Sequence, residues 1–334
     1  MLGNMRSKDL GLLFALLGAT FWGADALRTR ASLFETAWAV ELLLFSPLVL
    51  VPLALRLFVE VEDQPRPKRL FGLVVAMQFP AALLLLIAFW LPEGIGAFLT
   101  LPWLAMTGFM LLLGARRIWV RGWPQPWGVL AQDVGWVFLV VGAGWLMLSR
   151  LGARPLDFEP VIVLLTAIHF HYAGFLLPIF AGRAALLVGG RLADVTAIGV
   201  VVGVPLVAIG ITATQVGLPV QFEFLAAAAL AGAGLLVALL HLRLAMWDEL
   251  PGFVRLMFGF VSLSLTFSMA LAFAYGGRCF GWWPGLDIPW MRALHGTVNA
   301  FGFGLAGCVG WNLFPRRRLL EADPSDDDAL GEMD

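Results

Sequence analysis

Apolar residues run along this chain in long unbroken blocks, and almost all the charge is gathered into the short intervals between them. The blocks do not alternate polar with apolar. Each is roughly 20 residues long, the length a helix needs to cross a hydrocarbon core about 30 Å thick. Continuous runs of this kind exclude a transmembrane β-barrel, whose strands alternate. Set against the charged breaks, the runs predict ten helical spans: 10–27, 33–56, 70–90, 97–115, 128–148, 160–181, 195–215, 222–241, 253–275 and 291–314. The predicted fold is all-α, a polytopic transmembrane bundle over residues 1–315. Spans one and two, separated only by Arg28 to Ser32, are expected to form a tight hairpin.

Composition agrees with that pattern. Of 334 residues, 60% are hydrophobic and 13% charged, about half the charge of a soluble domain. Orientation follows from where the cations fall. With the N-terminus inside, 16 of the 22 Lys and Arg lie on the cytoplasmic side, leaving Arg28, Arg30, Arg150, Arg154, Arg278 and Arg292 outside. This asymmetry predicts an even number of spans with both termini inside. Arg6 and Lys8 could open a signal peptide, but no small-residue cleavage site follows before Trp22 and Asp25, so the first run is expected to stay as a span. Residues 316–334 change character. Arg316 to Arg318 suit an anionic inner leaflet, and seven of the last 14 residues are acidic, which predicts a disordered cytoplasmic tail. The 14 tryptophans gather near span ends, including Trp90, Trp103, Trp119, Trp123, Trp127, Trp247, Trp282, Trp283, Trp290 and Trp311, and are expected to form interfacial belts. Cys279 and Cys308 fall in a loop and a span, which argues against a disulfide. The chain has no C-x-x-C, zinc-finger spacing or P-loop, and no nucleic-acid partner is expected.

Ionisable side chains inside a span cost a few kcal/mol each, so each needs a partner or a purpose. Here they are Asp25, Glu35, Glu41, Asp133, His169, His171, Glu223 and His295. The topology places Asp25, Glu35, Glu41 and His295 in the outer half, with His169 and His171 near the midplane. Asp133 lies towards the inner side, Glu223 at an outer edge, and His241 at an inner helix end beside Arg243. His169 and His171 point about 200° apart on a regular helix and cannot share one ligand unless the helix is irregular, with Gly174 the natural place for it. In span ten His295 and Asn299 share a face, while Gly296, Ala300, Gly304 and Cys308 form a ridge of small side chains suited to close helix packing. In span nine Ser262, Ser264, Thr266 and Ser268 alternate with apolar residues, a pattern read as hydroxyls bonding back to their own helix.

Two stretches carry a family resemblance. His169-Phe-His-Tyr-Ala-Gly-Phe175 and His295-Gly-Thr-Val-Asn-Ala-Phe-Gly-Phe303 resemble the signature segments of the YndJ-like membrane proteins, across most of the membrane region. The resemblance implies a polytopic membrane protein of a family often labelled a transporter. Phe14 to Gly23, followed by a hairpin and a second apolar helix, also resembles the start of drug/metabolite transporters, which implies inverted five-helix repeats, although the two halves share no evident sequence similarity.

Three functions fit these residues. The first is transport of a small solute or proton, with His169, His171, Tyr172, His295 and Asn299 as binding groups and Asp25 and Glu41 as counter-charges. The second is a membrane enzyme or redox protein acting on a lipid, isoprenoid or periplasmic substrate, with His169, His171 and His295 ligating a transition metal or haem cofactor. The third is a structural subunit. The expected location is the bacterial inner membrane, with the lipid bilayer and a small-molecule substrate as partners. In a cysteine-free background, single cysteines at Arg30 and Arg154 should react with a membrane-impermeant maleimide on intact cells, and cysteines at Arg116 and Arg243 only after permeabilisation; the reverse pattern would invert the topology.

Overall fold

The computed structural model describes residues 7–59 and 68–315. The tail expected over 316–334 lies outside the described residues. Among the described residues, ten helical rods make up the bundle: α1 (Ser7–Thr29), α2 (36–59), α3 (Lys68–Trp90), α4 (Ile95–Arg121), α5 (Trp127–Arg150), α6 (160–188), α7 (Gly190–Gln215), α8 (Gln221–Ala245), α9 (Gly252–Gly276) and α10 (288–313). Among the described residues, nine helices are long and apolar enough to cross a membrane. The tenth, α10, is interrupted by two π-helical segments. Each rod coincides with an expected span. Several run past its charged end, as α4 does through Arg116, Arg117 and Arg121, because arginine is a good helix former and its head can reach a partner.

Three helices depart from α-geometry, and they are neighbours at the centre of the bundle. α2 is π-helical over Ser46–Leu50, α6 over Phe170–Leu176, and α10 over Met291–Gly296 and Asn299–Leu305. The irregularity expected around Gly174 is therefore present as a full π segment. The cause in α2 is a pair of prolines five residues apart. Pro47 and Pro52 have no N–H to donate, and the neighbouring donors go elsewhere: Ser46 N–H to Leu43 O, and Val51 N–H to Ser46 O. The carbonyls of Leu42 and Pro47 are left over, and no water inside a bilayer can take them.

Other helices supply the missing donors. The Tyr172 hydroxyl on α6 donates to Leu42 O at 2.8 Å, and Gln78 Nε2 on α3 donates to Pro47 O at 2.6 Å. Further along α2, Asn312 of α10 donates to Leu53 O at 3.0 Å, and Arg183 of α6 donates to Leu57 O at 2.5 Å. The Cys308 thiol meets Leu50 O at 3.6 Å. On the opposite side α1 comes in through Gly18, where a Cβ would collide with the Leu48 carbonyl. Leu48 sits four residues before Pro52, so this is another place where proline has opened the helix.

Glycine sets the remaining close contacts. Gly128, Gly135 and Gly142 stand seven residues apart on one face of α5 and lie flat on α6; a Cβ would fall 2.7 Å from Gly182 O, 2.9 Å from Phe175 O and 2.7 Å from His171 Nδ1 respectively. The ridge expected on α10 behaves as expected: Gly296 packs on Leu42, and Gly304 and Cys308 pack on Leu50. In α9 the Thr266 hydroxyl bonds back to Ser262 O at 2.8 Å, while Ser264 faces Gly302 of α10. Removing the Tyr172 hydroxyl in Tyr172→Phe should cost about 1 kcal/mol and lower the melting temperature in fluorescence-detected size exclusion. Gly18→Val should leave little folded protein. Unchanged melting in both variants would mean that α2 is not held this way.

Candidate functional site

The histidine pair of α6 is divided by the π segment that begins between its members. His171 is fully buried, and both its ring nitrogens are engaged: Nδ1 pairs with Ala167 O at 2.8 Å, and Nε2 accepts from Trp103 Nε1–H of α4 at 3.2 Å. With Gly142 of α5 flat against the ring, His171 is a packing residue at the α4–α5–α6 junction. His169 turns the other way. It is half-buried, its Nε2 is enclosed without a hydrogen-bond partner, and it lies within electrostatic range of His295 on α10. His295 Nδ1 pairs with Ser268 O of α9 at 2.9 Å, and the Ser268 hydroxyl is buried and unpartnered.

The expected three-histidine set therefore does not converge. His169 and His295 lie within electrostatic range of each other, while His171 is engaged with Trp103 and Ala167 at the α4–α5–α6 junction. Among the described residues, no three His, Cys, Asp or Glu side chains gather in a way that could hold a metal ion. Asn299 is half-buried in the second π segment of α10. π turns on either side of it alter the facing relation with His295 that a regular helix would give. Tyr172, next to His171 in sequence, is committed to the Leu42 carbonyl.

The outer carboxylates form a separate group between α1 and α2. Asp25 Oδ1 receives Arg28 at 2.7 Å and Trp90 Nε1–H at 3.0 Å. Glu41, 1% exposed, is joined to the Thr29 hydroxyl at 2.9 Å through Oε1, while Oε2 has no partner. Neither carboxylate reaches a histidine as a counter-charge; they interact with each other and with Arg28. Glu35 accepts from Ser32 N–H at 3.2 Å, closing the hairpin loop.

Of the other intramembrane ionisable groups, Asp133 and Glu223 are paired, and His241 leaves its Nε2 without a partner. Asp133, fully buried, holds Arg117 at 2.6 Å and also Arg121, and the Arg117 guanidinium lies over Phe58 and Trp136. Glu223 holds Arg278 at 2.5 Å. His241 is fully buried, with Nδ1 on Val237 O at 2.9 Å and its ring against Phe258 and Trp311. Two tryptophans expected at the interface are instead core residues. Trp103 and Trp311 are 0% and 1% exposed, the first because it bonds His171 and the second because it packs between Phe258 and Arg183.

Several partners carry no advance mark in the sequence: Thr29 for Glu41, Trp22 for the Glu41 carbonyl at 2.8 Å, Trp38 for Thr297 at 2.8 Å, and Ser268 for His295. Only the excess of polar atoms in spans one, two and nine hints at them.

A family model described as YndJ-like protein matches residues 41–303. The chain is 30% identical over 241 residues to a protein of Bacillus subtilis (strain 168) named "Uncharacterized membrane protein YndJ". That alignment covers 71% of this chain and 41% of the relative, so the chain spans well under two thirds of the relative's length. No solved structure gives a significant match. The two histidines of α6 should separate by experiment. His171→Ala strands Trp103 Nε1–H and should lose about 1–3 kcal/mol, whereas His169→Ala should melt close to the wild type; equal losses would place both in the packing.

Proposed function

The chain belongs to the YndJ-like family, and we propose that this multi-pass membrane protein is a transporter of a small solute or proton whose path runs past His169 and His295. One observation carries the reading. The three helices with π segments, α2, α6 and α10, meet around a pair of imidazoles, one of which has a buried nitrogen with no partner. π turns are places where a helix can rearrange locally, and they occur often at working sites. Interrupted helices near the middle of the membrane are how many transporters place polar groups around a substrate. Buried polar atoms left without partners inside a bilayer are costly. The Nε2 of His169 and the hydroxyl of Ser268 are therefore suited to receive a transient ligand or proton.

Within this reading His169 and His295 handle the solute or proton, and Asn299 lines the approach along α10. His171 and Tyr172 hold α6 in place and touch nothing that moves. The expected setting is the bacterial inner membrane. A transition-metal enzyme without a haem would need further ligands beside the two imidazoles.

The test uses proteoliposomes with a trapped pH-sensitive dye and an imposed potassium diffusion potential. Wild-type protein should carry protons faster than protein-free vesicles, and His169→Ala and His295→Ala should each slow the flux by about tenfold or more, the effect of roughly 1.4 kcal/mol. A wild-type rate equal to that of empty vesicles would count against proton transport. Metal analysis and a visible spectrum of the purified protein complete the test. A stoichiometric metal or a Soret band lost in both variants would replace the transport reading with a redox or enzymatic one.

A further inference from the structure

The hydroxyl of Thr29 has one proton and two neighbours that ordinarily accept. The Ala26 carbonyl lies at 3.2 Å and Glu41 Oε1 at 2.9 Å. If Glu41 were ionised, both would be acceptors competing for a single O–H, and Oε2 would carry charge in a buried position with no donor. With a proton on Glu41 Oε1 the two hydroxyl hydrogens each have an acceptor, and Oε2, which has no donor, is an uncharged carbonyl oxygen. The carboxyl O–H donates to Thr29 Oγ1, and the Thr29 O–H donates to Ala26 O.

The surrounding charges do not offer an alternative partner. From α1, Asp25 and Arg28 face the site, but Arg28 is held by Asp25 at 2.7 Å and its side chain is 59% exposed. From α10, Arg292 is engaged with Phe34 O and lies 3.5 Å from the Thr36 hydroxyl, more than a turn of α2 away from Glu41. From α6, Tyr172 is bonded to Leu42 O. α3 carries no charged residue between Arg69 and Trp90.

We propose that the Glu41 carboxyl is a proton-binding site, neutral in this conformation, that exchanges its proton at the α1–α2 end of the bundle by way of Thr29. On release the proton passes to water at that end and leaves a carboxylate. The Thr29 hydroxyl then turns its hydrogen from Ala26 O to Glu41 Oε1. The site is separate from the His169–His295 pair. It rests on the transport reading only for its purpose, as the place where a coupling proton would be loaded.

Infrared difference spectroscopy of the protein in lipid tests this without any flux measurement. The wild type at neutral pH should show a carboxylic-acid C=O stretch that shifts in heavy water and is missing from Glu41→Gln. That variant should fold, since its amide N–H₂ can donate to Thr29 as the carboxyl does. Thr29→Val should keep the band but move it to higher frequency, because the carboxyl loses its hydrogen-bond partner. Absence of the band in the wild type, its survival in Glu41→Gln, its indifference to heavy water, or an unmoved band in Thr29→Val would each overturn the proposal. Loss of proton flux with the band intact would sink the transport reading and leave the protonated carboxyl standing.

Discussion

Two carbonyl oxygens in the middle of a membrane bundle organise the rest of this protein. Pro47 and Pro52 release the carbonyls of Leu42 and Pro47 from the backbone ladder of α2, and in hydrocarbon those groups must be bonded by protein. Tyr172 and Gln78 meet that need from two different helices. The same requirement explains why α2 is the most enclosed rod, why α6 and α10 lie against it, and why α1 approaches through a glycine. A helix that does not satisfy its own backbone has to be surrounded.

Most of the polar side chains buried around α2 are committed to such structural bonds, and this is what makes the exceptions informative. His171, Tyr172, Gln78, Asn312 and Trp103 each serve a neighbour. Asp133 and Glu223 are matched by arginines. His169 Nε2, the Ser268 hydroxyl and Glu41 Oε2 are not matched, and neither are the Ser46 hydroxyl, Gln78 Oε1, Asn312 Oδ1 or His241 Nε2. The first two belong to the region where α6, α9 and α10 meet, and Glu41 faces Thr29 of α1. Imidazoles and carboxylates that share the same half of the sequence-derived topology thus have different neighbours.

The fold was largely legible in the sequence because it is written in long apolar runs, which burial in lipid requires and which tolerate little ambiguity. All ten rods stand where the runs predict, and the small-residue ridge of α10 packs as its spacing implies. The site was legible only in part. His169 and His295 stand out as intramembrane histidines, but spacing on an ideal helix could not say which of His169 and His171 faced His295. That answer depends on the π segment, whose register is set by contacts with distant residues. Asp25 and Glu41 were visible as costly carboxylates, while their relation to Thr29 and Trp90 is a matter of three-dimensional packing. Trp103 and Trp311 misled for the same reason: position near a span end suggests an interface, and only the tertiary structure shows a neighbour waiting inside.

The donors that complete α2 also bear on the order in which this protein can be assembled. α2 is made before α3, α6 and α10, yet groups that bond its carbonyls arrive with those later helices. Until α6 emerges from the ribosome, the Leu42 carbonyl lacks its tyrosine. Until α10 emerges, Leu53 O lacks its asparagine. The central rod of the bundle is thus short of hydrogen-bond donors until the later helices close over it.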